Sequence, residues 1–361
     1  FCKMLSPKDR FLAVFSDERN KLDRVPTHVQ GIRHEFTQLY EEELFDTYEG
    51  ELTYTVSFDP PLILGFDAVF ADMPSSVTCK PIKFIDEKGV EHQVNMDGQA
   101  TNTESSYYSG GLIDNMELLE KILDNVKILD ASKGIQEMVK YQESISNKIF
   151  PTPTLDGIFD KAWRAMGFPK FARNHRKNTT LYKEIIKMYA FNVKTNVEKI
   201  IEATGDRCRI IIIKDDFAFK GRPMISPERW MQDIGKYYKD ITKMIKDAGM
   251  YVVNHTDGDV TELVPKLIEA GFQGVQGWEG GCDPYVIADK FPDFVVIGFG
   301  DVGDVLPFGT DEEIKEHVKF LMDALKEGRH YVFGPSTVIF GKHPIKNIRL
   351  FIKYGKELGK Y

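Results

Sequence analysis

Apolar positions in the second half of this chain switch repeatedly between helical spacing and short unbroken runs. Ile185, Ile186, Met188, Tyr189, Phe191 and Val193 form a helix-spaced stripe that predicts a helix from Asn178 to Thr204. The run Ile210-Ile-Ile-Ile213 that follows reads as a buried strand. Further helices are predicted over Pro227–Ala248, Val260–Ala270, Pro284–Lys290, Asp311–Glu327 and Pro344–Leu358. The strands between them are Met250–Val253, Gly274–Gln276, Phe294–Ile297 and Tyr331–Phe333. Thr310 with Glu313 three residues on is a capping-box signal for one of those helices. Four or five βα units in about 155 residues imply parallel strands and favour a closed (β/α)8 TIM-type barrel, an α/β fold, over an open sheet.

The first half is less regular. Arg24-Val-Pro-Thr-His-Val-Gln-Gly-Ile32 is a candidate first strand, with His28 facing the barrel mouth and therefore a candidate substrate contact. Pro81–Asp86 and Val90–Met96 alternate around Glu87-Lys-Gly89, the signature of a hairpin. Leu112–Ser146 reads as one or two amphipathic helices, and Phe150-Pro-Thr-Pro-Thr as a loop or hinge. No internal repeat is present. The expected organisation is one barrel domain over 1–361, with an N-terminal extension over 1–23 and a hairpin excursion over 80–97.

Composition narrows the function. Hydrophobic residues at 42% and charged residues at 28% are ordinary for a globular protein. A net charge of −8 without a basic block argues against nucleic acid or an anionic membrane as partner. No apolar run approaches the roughly 20 residues a membrane span needs. Cys2, Cys79, Cys208 and Cys282 are scattered without a CxxC pair, as in a reducing cytoplasm. The start, Phe1-Cys-Lys-Met, has neither an initiator methionine nor a signal-peptide pattern, so residues ahead of it are expected to be missing or processed.

The chemistry collects at the strand ends. Tyr251-Val-Val-Asn-His-Thr-Asp-Gly258 sets an imidazole and a carboxylate two residues apart where an apolar strand stops. Ile210–Ile213 runs into Asp215 and Asp216, Gly274–Trp278 into Glu279, Phe294–Ile297 into Asp301, and Tyr331–Phe333 into Ser336. Parallel α/β proteins place their active sites at this end. Asp215 and Asp216 are adjacent on a strand and point to opposite faces, so at most one enters the mouth. Phe217, Phe219, Trp278, Phe299, Phe308 and Phe333 sit at or just after these ends, where an aryl ring could pack among them.

The order Asp215-Asp-Phe-Ala, Pro223-Met-Ile-Ser-Pro-Glu-Arg-Trp230, His255-Thr-Asp-Gly258, Leu267-Ile-Glu-Ala-Gly-Phe272, Gly300-Asp-Val302, Leu306-Pro-Phe-Gly-Thr310 and Gly334-Pro-Ser336 resembles the uroporphyrinogen decarboxylase superfamily. The likeness is to its cobalamin-linked methyltransferase branch. It runs from about Arg24 to Tyr361 and is strongest after Ile210. It implies a TIM-type barrel with its active site at the C-terminal face, and an acid near the substrate at Asp301. True decarboxylases of the superfamily carry an arginine-rich segment after the first strand. Here that stretch is Thr27-His-Val-Gln-Gly-Ile-Arg33, without paired arginines to fork onto porphyrin carboxylates. Thiol-specific methyltransferases of the branch hold zinc through a His-x-Cys pair and a later cysteine, and related methionine synthases add a glutamate. By position His255 matches the histidine and Glu279 the glutamate, whereas Asp257 and Ser336 stand where sulfur ligands would be. Cys282 is close in sequence but out of the family's place, and reads as structural.

A His255, Asp257 and Glu279 set suits a harder metal site, zinc included, that polarises an oxygen rather than activating a thiolate. What the resemblance implies is therefore a cytoplasmic methyltransferase taking a methyl group from a small methylated substrate. A methoxylated aromatic compound is preferred as donor. The acceptor is the Co(I) corrinoid (cobalamin) of a separate corrinoid-binding protein, since this chain has no Asp-x-His-x-x-Gly cobalamin pattern. In that scheme Asp216, Asp301 and His255 are the candidate catalytic groups, and Asp215, Phe217, Trp278, Phe299, Ser336 and His28 the substrate contacts. A tetrapyrrole decarboxylase, a methyltransferase for methanol, methylamine or thiols, and a non-enzymatic scaffold are the alternatives.

Overall fold

The computed structural model describes residues 5–86, 89–98 and 110–361. Its main sheet has eight strands: β1 (His28–Val29), β2 (Ala68–Asp72), β3 (Phe150–Asp156), β4 (Ile210–Lys214), β5 (Tyr251–Thr256), β6 (Gly274–Gly277), β7 (Val295–Gly300) and β8 (Tyr331–Pro335). They lie side by side in chain order, and every neighbouring pair is parallel. Thr27 and Phe333 bridge the two edges, and the Phe333 N–H donates to the Pro26 carbonyl at 2.8 Å. The fold is thus the (β/α)8 TIM-type barrel that the strand–helix rhythm predicts. Gly334 makes this seam possible: a Cβ there would lie 1.9 Å from the His28 carbonyl oxygen.

Two strands leave little sequence signal. Nothing marks Ala68–Asp72 as a strand, and Phe150-Pro-Thr-Pro-Thr is not a loop or hinge but most of β3. Proline is tolerated there because of the register. Phe150 donates its N–H to Asp67 on the β2 side, so Pro151 and Pro153 turn their missing N–H toward β4. Pairing with β4 starts only at Thr154 opposite Ile212, beyond both prolines.

Inside the barrel, Ala68, Phe70, Phe150, Ile210, Ile212, Val253, Val295, Ile297 and Val332 pack together. Alternate residues on these strands, such as Ile211, Ile213, Val252 and Val275, face the helices instead. A short helix ahead of the barrel, α1 (Pro7–Ala13), begins at a Ser6 cap that accepts the Asp9 N–H, with proline at its first position. Phe11, Val14 and Leu22 from this segment are fully or almost fully buried in the interior cluster, each contributing about 1.5–3 kcal/mol by burial. Beside them the Asp67 carboxylate accepts from Arg10 at 2.8 Å, from Arg24 at 2.7 and 2.8 Å, and from the Thr27 N–H at 2.8 Å. The N-terminal end of the barrel is stopped by this segment, which leaves the C-terminal end as the open one.

The remaining helices follow the apolar stripes. One runs Thr180–Thr204 from a Thr179 cap. The stretch predicted as a single helix from Pro227 is broken into Pro227–Trp230 and Lys236–Asp247 by a π-helical turn at Met231–Gly235. A later helix, Asp311–Leu325, carries the full Thr310–Glu313 capping box. Ile82–Ile85 and Glu91–Val94 form an antiparallel hairpin outside the barrel sheet. Its turn residues Glu87 and Lys88, the chain start and Cys2 lie outside the described residues. No described helix is long and apolar enough to cross a membrane.

Candidate active site

Two neighbouring strand ends, those of β4 and β5, bring Asp216, His255 and Asp257 together. His255 pairs with Lys214 on one side and Gln276 on the other, so all three point inward at one level of the barrel. Two residues on from Lys214, Asp216 shares its inward parity. Its Oδ1 accepts the Asp257 N–H at 2.9 Å. His255 Nε2 lies 3.9 Å from Asp216 Oδ1 and 3.8 Å from Asp257 Oδ1, and the three candidate ligand atoms all fall within 4.8 Å of one another. Glu279 is not one of the three; it instead accepts a hydrogen bond from Ser336 Oγ at 2.8 Å.

The electrostatics of this cluster call for a positive charge. Asp257 is partly open to the cavity, yet its Oδ1 is buried with no hydrogen-bond partner. Burial pushes its carboxyl up to about 7, with Asp216, Glu279 and Asp160 adding to the rise and His255 opposing it. Asp160 is likewise pushed up to about 6 by burial and then by Asp216, against the pull of Arg164. The Arg164 Nε–H is shared between the two Asp160 carboxylate oxygens at 2.7 and 2.8 Å, and its Nη2 reaches within 4.0 Å of Asp216. Near neutral pH the site therefore takes up a proton, or any cation that can replace it. Ligands roughly 2.0–2.2 Å from a tetrahedral zinc sit roughly 3.3–3.6 Å apart. The separations of 3.8 and 3.9 Å need only a slight closing, so the donor set fits a divalent ion. It contains no thiolate. Cys282 donates to Asp259 Oδ1 at 3.4 Å, and burial followed by Asp259 pushes its thiol up to about 12, which leaves it protonated.

A cavity of about 730 Å³ opens beside the cluster and shares Asp257 with it; the Ser336–Glu279 pair lines it as well, while His255 and Asp216 are not among its lining residues. Trp278 and Phe299 wall one side, stacked with centroids 5.4 Å apart and planes 5° from parallel. Both hold a left-handed backbone with φ of 72°, each directly after a glycine. The Trp278 indole N–H donates to the Val275 carbonyl at 2.9 Å, which folds the ring back over its own strand. Asp301 also lines the cavity, but its Oδ1 accepts the Gly303 and Asp304 N–H groups at 2.8 and 2.9 Å and so shapes a turn.

Several sequence candidates lie elsewhere. Asp215 faces away from the mouth, completely buried, and accepts from the N–H groups of Ile158, Phe159 and Asp160 and from the Tyr238 hydroxyl. It caps the helix Phe159–Met166, and Gly157 allows the approach because a Cβ there would strike Asp215. Phe217 has the same outward parity and packs on Trp230 and Phe159. Phe333 packs at a tilt against Phe351 in the helix layer, and Phe308 is 74% exposed at the surface. His28 sits below the mouth, wedged against Phe11 and Phe70, with neither ring nitrogen hydrogen-bonded. Burial, then His255, pushes it down to about 3, so it stays neutral. Gln30, two residues farther along the strand, is the one that reaches His255. Gln276, Asp160 and Arg164 also belong to the site, though no sequence motif marks them. The polar Gln276 amid an apolar strand at inward parity was the available signal.

A family model for uroporphyrinogen decarboxylase matches residues 124–358, about two thirds of the chain. Among solved structures, a methyltransferase from Methanosarcina mazei is similar at 15% identity with a TM-score of 0.59, over 98% of this chain and 99% of that one. A putative vitamin-B12-independent methionine synthase from Listeria monocytogenes matches at 13% identity over 62% and 69% of the two chains, with a TM-score of 0.37. Curated protein sequences give no match.

Proposed function

The chain belongs to the uroporphyrinogen decarboxylase family, and from that membership we propose that it is a methyltransferase with an oxygen-bound methyl donor, preferably a methoxylated aromatic compound. The acceptor in this reading is the reduced corrinoid of a partner protein. The observation that carries it is the meeting of Asp216, His255 and Asp257, with a buried unpartnered oxygen, beside an aromatic-walled cavity of about 730 Å³. That volume suits a small substrate, within the roughly 300–1,000 Å³ usual for ligand sites. Its described lining carries Asp257, Glu279, Asp301 and Asp304 against Lys220, which disfavours a polycarboxylate tetrapyrrole. The methyltransferase name of the similar Methanosarcina mazei structure points the same way.

In the reaction the methyl carbon is taken by the electron pair that the acceptor supplies, the methyl–oxygen bond breaks with the oxygen keeping its bonding pair, and that oxygen takes up a proton from water. Asp216, His255 and Asp257 would hold a divalent ion such as zinc, which supplies Lewis acidity where that negative charge develops. Trp278 and Phe299 stack on the aryl ring and hold it against the cluster. The Ser336–Glu279 pair keeps the carboxylate of Glu279 at the cavity wall, where it accepts from donor groups on the substrate. Closure of the barrel floor by α1 leaves the mouth as the route for both donor and acceptor.

The test is an anaerobic mixture of protein, reduced cobalamin and one methyl donor at a time, followed through the visible spectrum of the cobalamin. Methoxylated aromatics are expected to methylate it, and His255→Ala to lose at least about a hundredfold in rate. Methylation only from methanol, a methylamine or a methylthiol would overturn the donor assignment. Release of CO₂ from uroporphyrinogen without methyl transfer would overturn the reaction class.

A further inference from the structure

We propose that the loop after β8 selects the tautomer of His255, acting through two glutamines that serve as positioning residues. Gln276 Nε2 donates to the Ser336 carbonyl at 3.0 Å. A carbonyl only accepts, so the amide cannot be turned over without setting oxygen against oxygen. Gln276 Oε1 is thereby aimed at His255 Nδ1, 2.5 Å away. An amide oxygen also only accepts, so Nδ1 carries the proton and Nε2 keeps its lone pair.

The second glutamine closes the same logic from the opposite strand. Gln30 Nε2 faces His255 Nε2 at 3.4 Å, which is an attraction only when Nε2 is the acceptor. With its amino group so committed, Gln30 turns Oε1 to Thr337, whose hydroxyl donates to it at 2.8 Å. Ser336 and Thr337 are consecutive: the Ser336 carbonyl fixes the Gln276 amide, the Thr337 hydroxyl braces the Gln30 amide in the sense the ring demands, and the two amides grip the two nitrogens of one ring. The lone pair is held toward Asp216 and Asp257, 3.9 and 3.8 Å away. Its consequence rests on reading those three residues as a cation-holding set; the hydrogen-bond logic does not. Outer partners of this kind orient ligating histidines, and losing one weakens metal affinity by about 10–100-fold.

The experiment uses the full chain with ¹⁵N-labelled histidine, reading the His255 ring nitrogens by NMR, and zinc affinity by competition with a chromophoric chelator. The unmodified protein is expected to show the Nδ1–H form. Gln276→Leu removes the acceptor at Nδ1 and should populate the Nε2–H form and weaken zinc binding toward a hundredfold. Thr337→Val touches neither the ring nor the carboxylates, but loosens the Gln30 amide. With Gln276 in place it should keep the Nδ1–H form and weaken zinc binding about tenfold at an unchanged melting temperature, and Thr337→Ser should restore the affinity. An Nε2–H form in the unmodified protein overturns the proposal. So does a Gln276→Leu variant that binds zinc and keeps its tautomer like the parent, an outcome that leaves the metal reading standing. If the parent binds no zinc while Gln276→Leu still shifts the tautomer, the tautomer selection stands and the metal reading falls.

Discussion

Replacing Asp216 by asparagine separates the ligand set of the folded barrel from the one that sequence position suggests. Asp216 Oδ1 accepts the Asp257 N–H at 2.9 Å, and an asparagine oxygen keeps that bond, so the loop holds while one negative charge is lost. Two unit charges about 4 Å apart interact by about 4 kcal/mol at an effective dielectric constant of about 20, which is a lower bound for a carboxylate held directly on a divalent ion. The amide oxygen and entering water recover part of this, leaving about 2–3 kcal/mol, which is roughly a 30–150-fold loss of metal affinity. Glu279→Gln is the control. Glu279 influences Asp257 only through space, and glutamine keeps an oxygen for Ser336 Oγ, so affinity should fall less than about fivefold. Zinc competition against a chromophoric chelator measures both variants, with the melting temperature as a check on folding. An Asp216→Asn protein that binds within threefold of the parent, or a Glu279→Gln protein that loses more, refutes the assignment.

Two further outcomes test the scaffold. Asp215→Asn sets an NH₂ group against backbone N–H groups it cannot accept from. It should cost about 2–4 kcal/mol and several degrees of melting temperature. The donor KM should change less than twofold, whereas an unchanged melting temperature with a raised KM would return Asp215 to the substrate. At the barrel floor, burial raises Asp67, but Arg24, Arg10 and the Thr27 N–H outweigh it and hold the carboxyl below its ordinary value of 3.8. A depressed folded pKa means this stabilisation is complete above that value and is lost as pH falls through the folded one. Acid unfolding followed by near-ultraviolet circular dichroism should therefore be shallower in Asp67→Asn than in the parent, and equal slopes would refute the reasoning.

The barrel is legible in the sequence wherever strands are wholly apolar and helices carry a stripe, which covers everything after Ile210. It is illegible at β3, where proline argues against a strand until the register shows which edge lacks a partner. Strand parity alone separates Asp215 from Asp216, but choosing between them needs the pairing of His255 with Lys214. Depth is the other hidden quantity. His28 and Gln30 share a face of β1, yet one lies under Phe70 and the other reaches the imidazole. Neutral amides such as Gln30 and Gln276 carry no charge or metal-ligand pattern, so Gln276 stands out only as a polar residue at inward parity in an apolar strand, and Gln30 not at all.

Trp278 and Phe299 pose the remaining physical question, because bulky residues rarely hold a φ of 72°. Such strain persists only where the surroundings over-determine it. Here Gly277 and Gly298 precede the two aromatics at points where a Cβ would lie 2.1 Å from the Thr256 carbonyl oxygen and 2.7 Å from that of Gly277. Strand packing therefore sets the approach, and the ring that follows has one way to turn. Phe299→Gly and Phe299→Ala distinguish strain from stacking. Both delete the ring, and each should cost about 3–5 kcal/mol in lost packing and raise the donor KM equally. Alanine at a left-handed position also carries about 1–2 kcal/mol of steric strain that glycine escapes, partly offset by the roughly 0.5–1 kcal/mol of extra chain entropy that glycine loses on folding. Glycine should come out more stable by about 0.5–1 kcal/mol, the reverse of the order found at ordinary strand positions, in paired thermal melts. If alanine is the more stable variant, the backbone at Phe299 is not strained, and the stacked pair is held by ring packing alone.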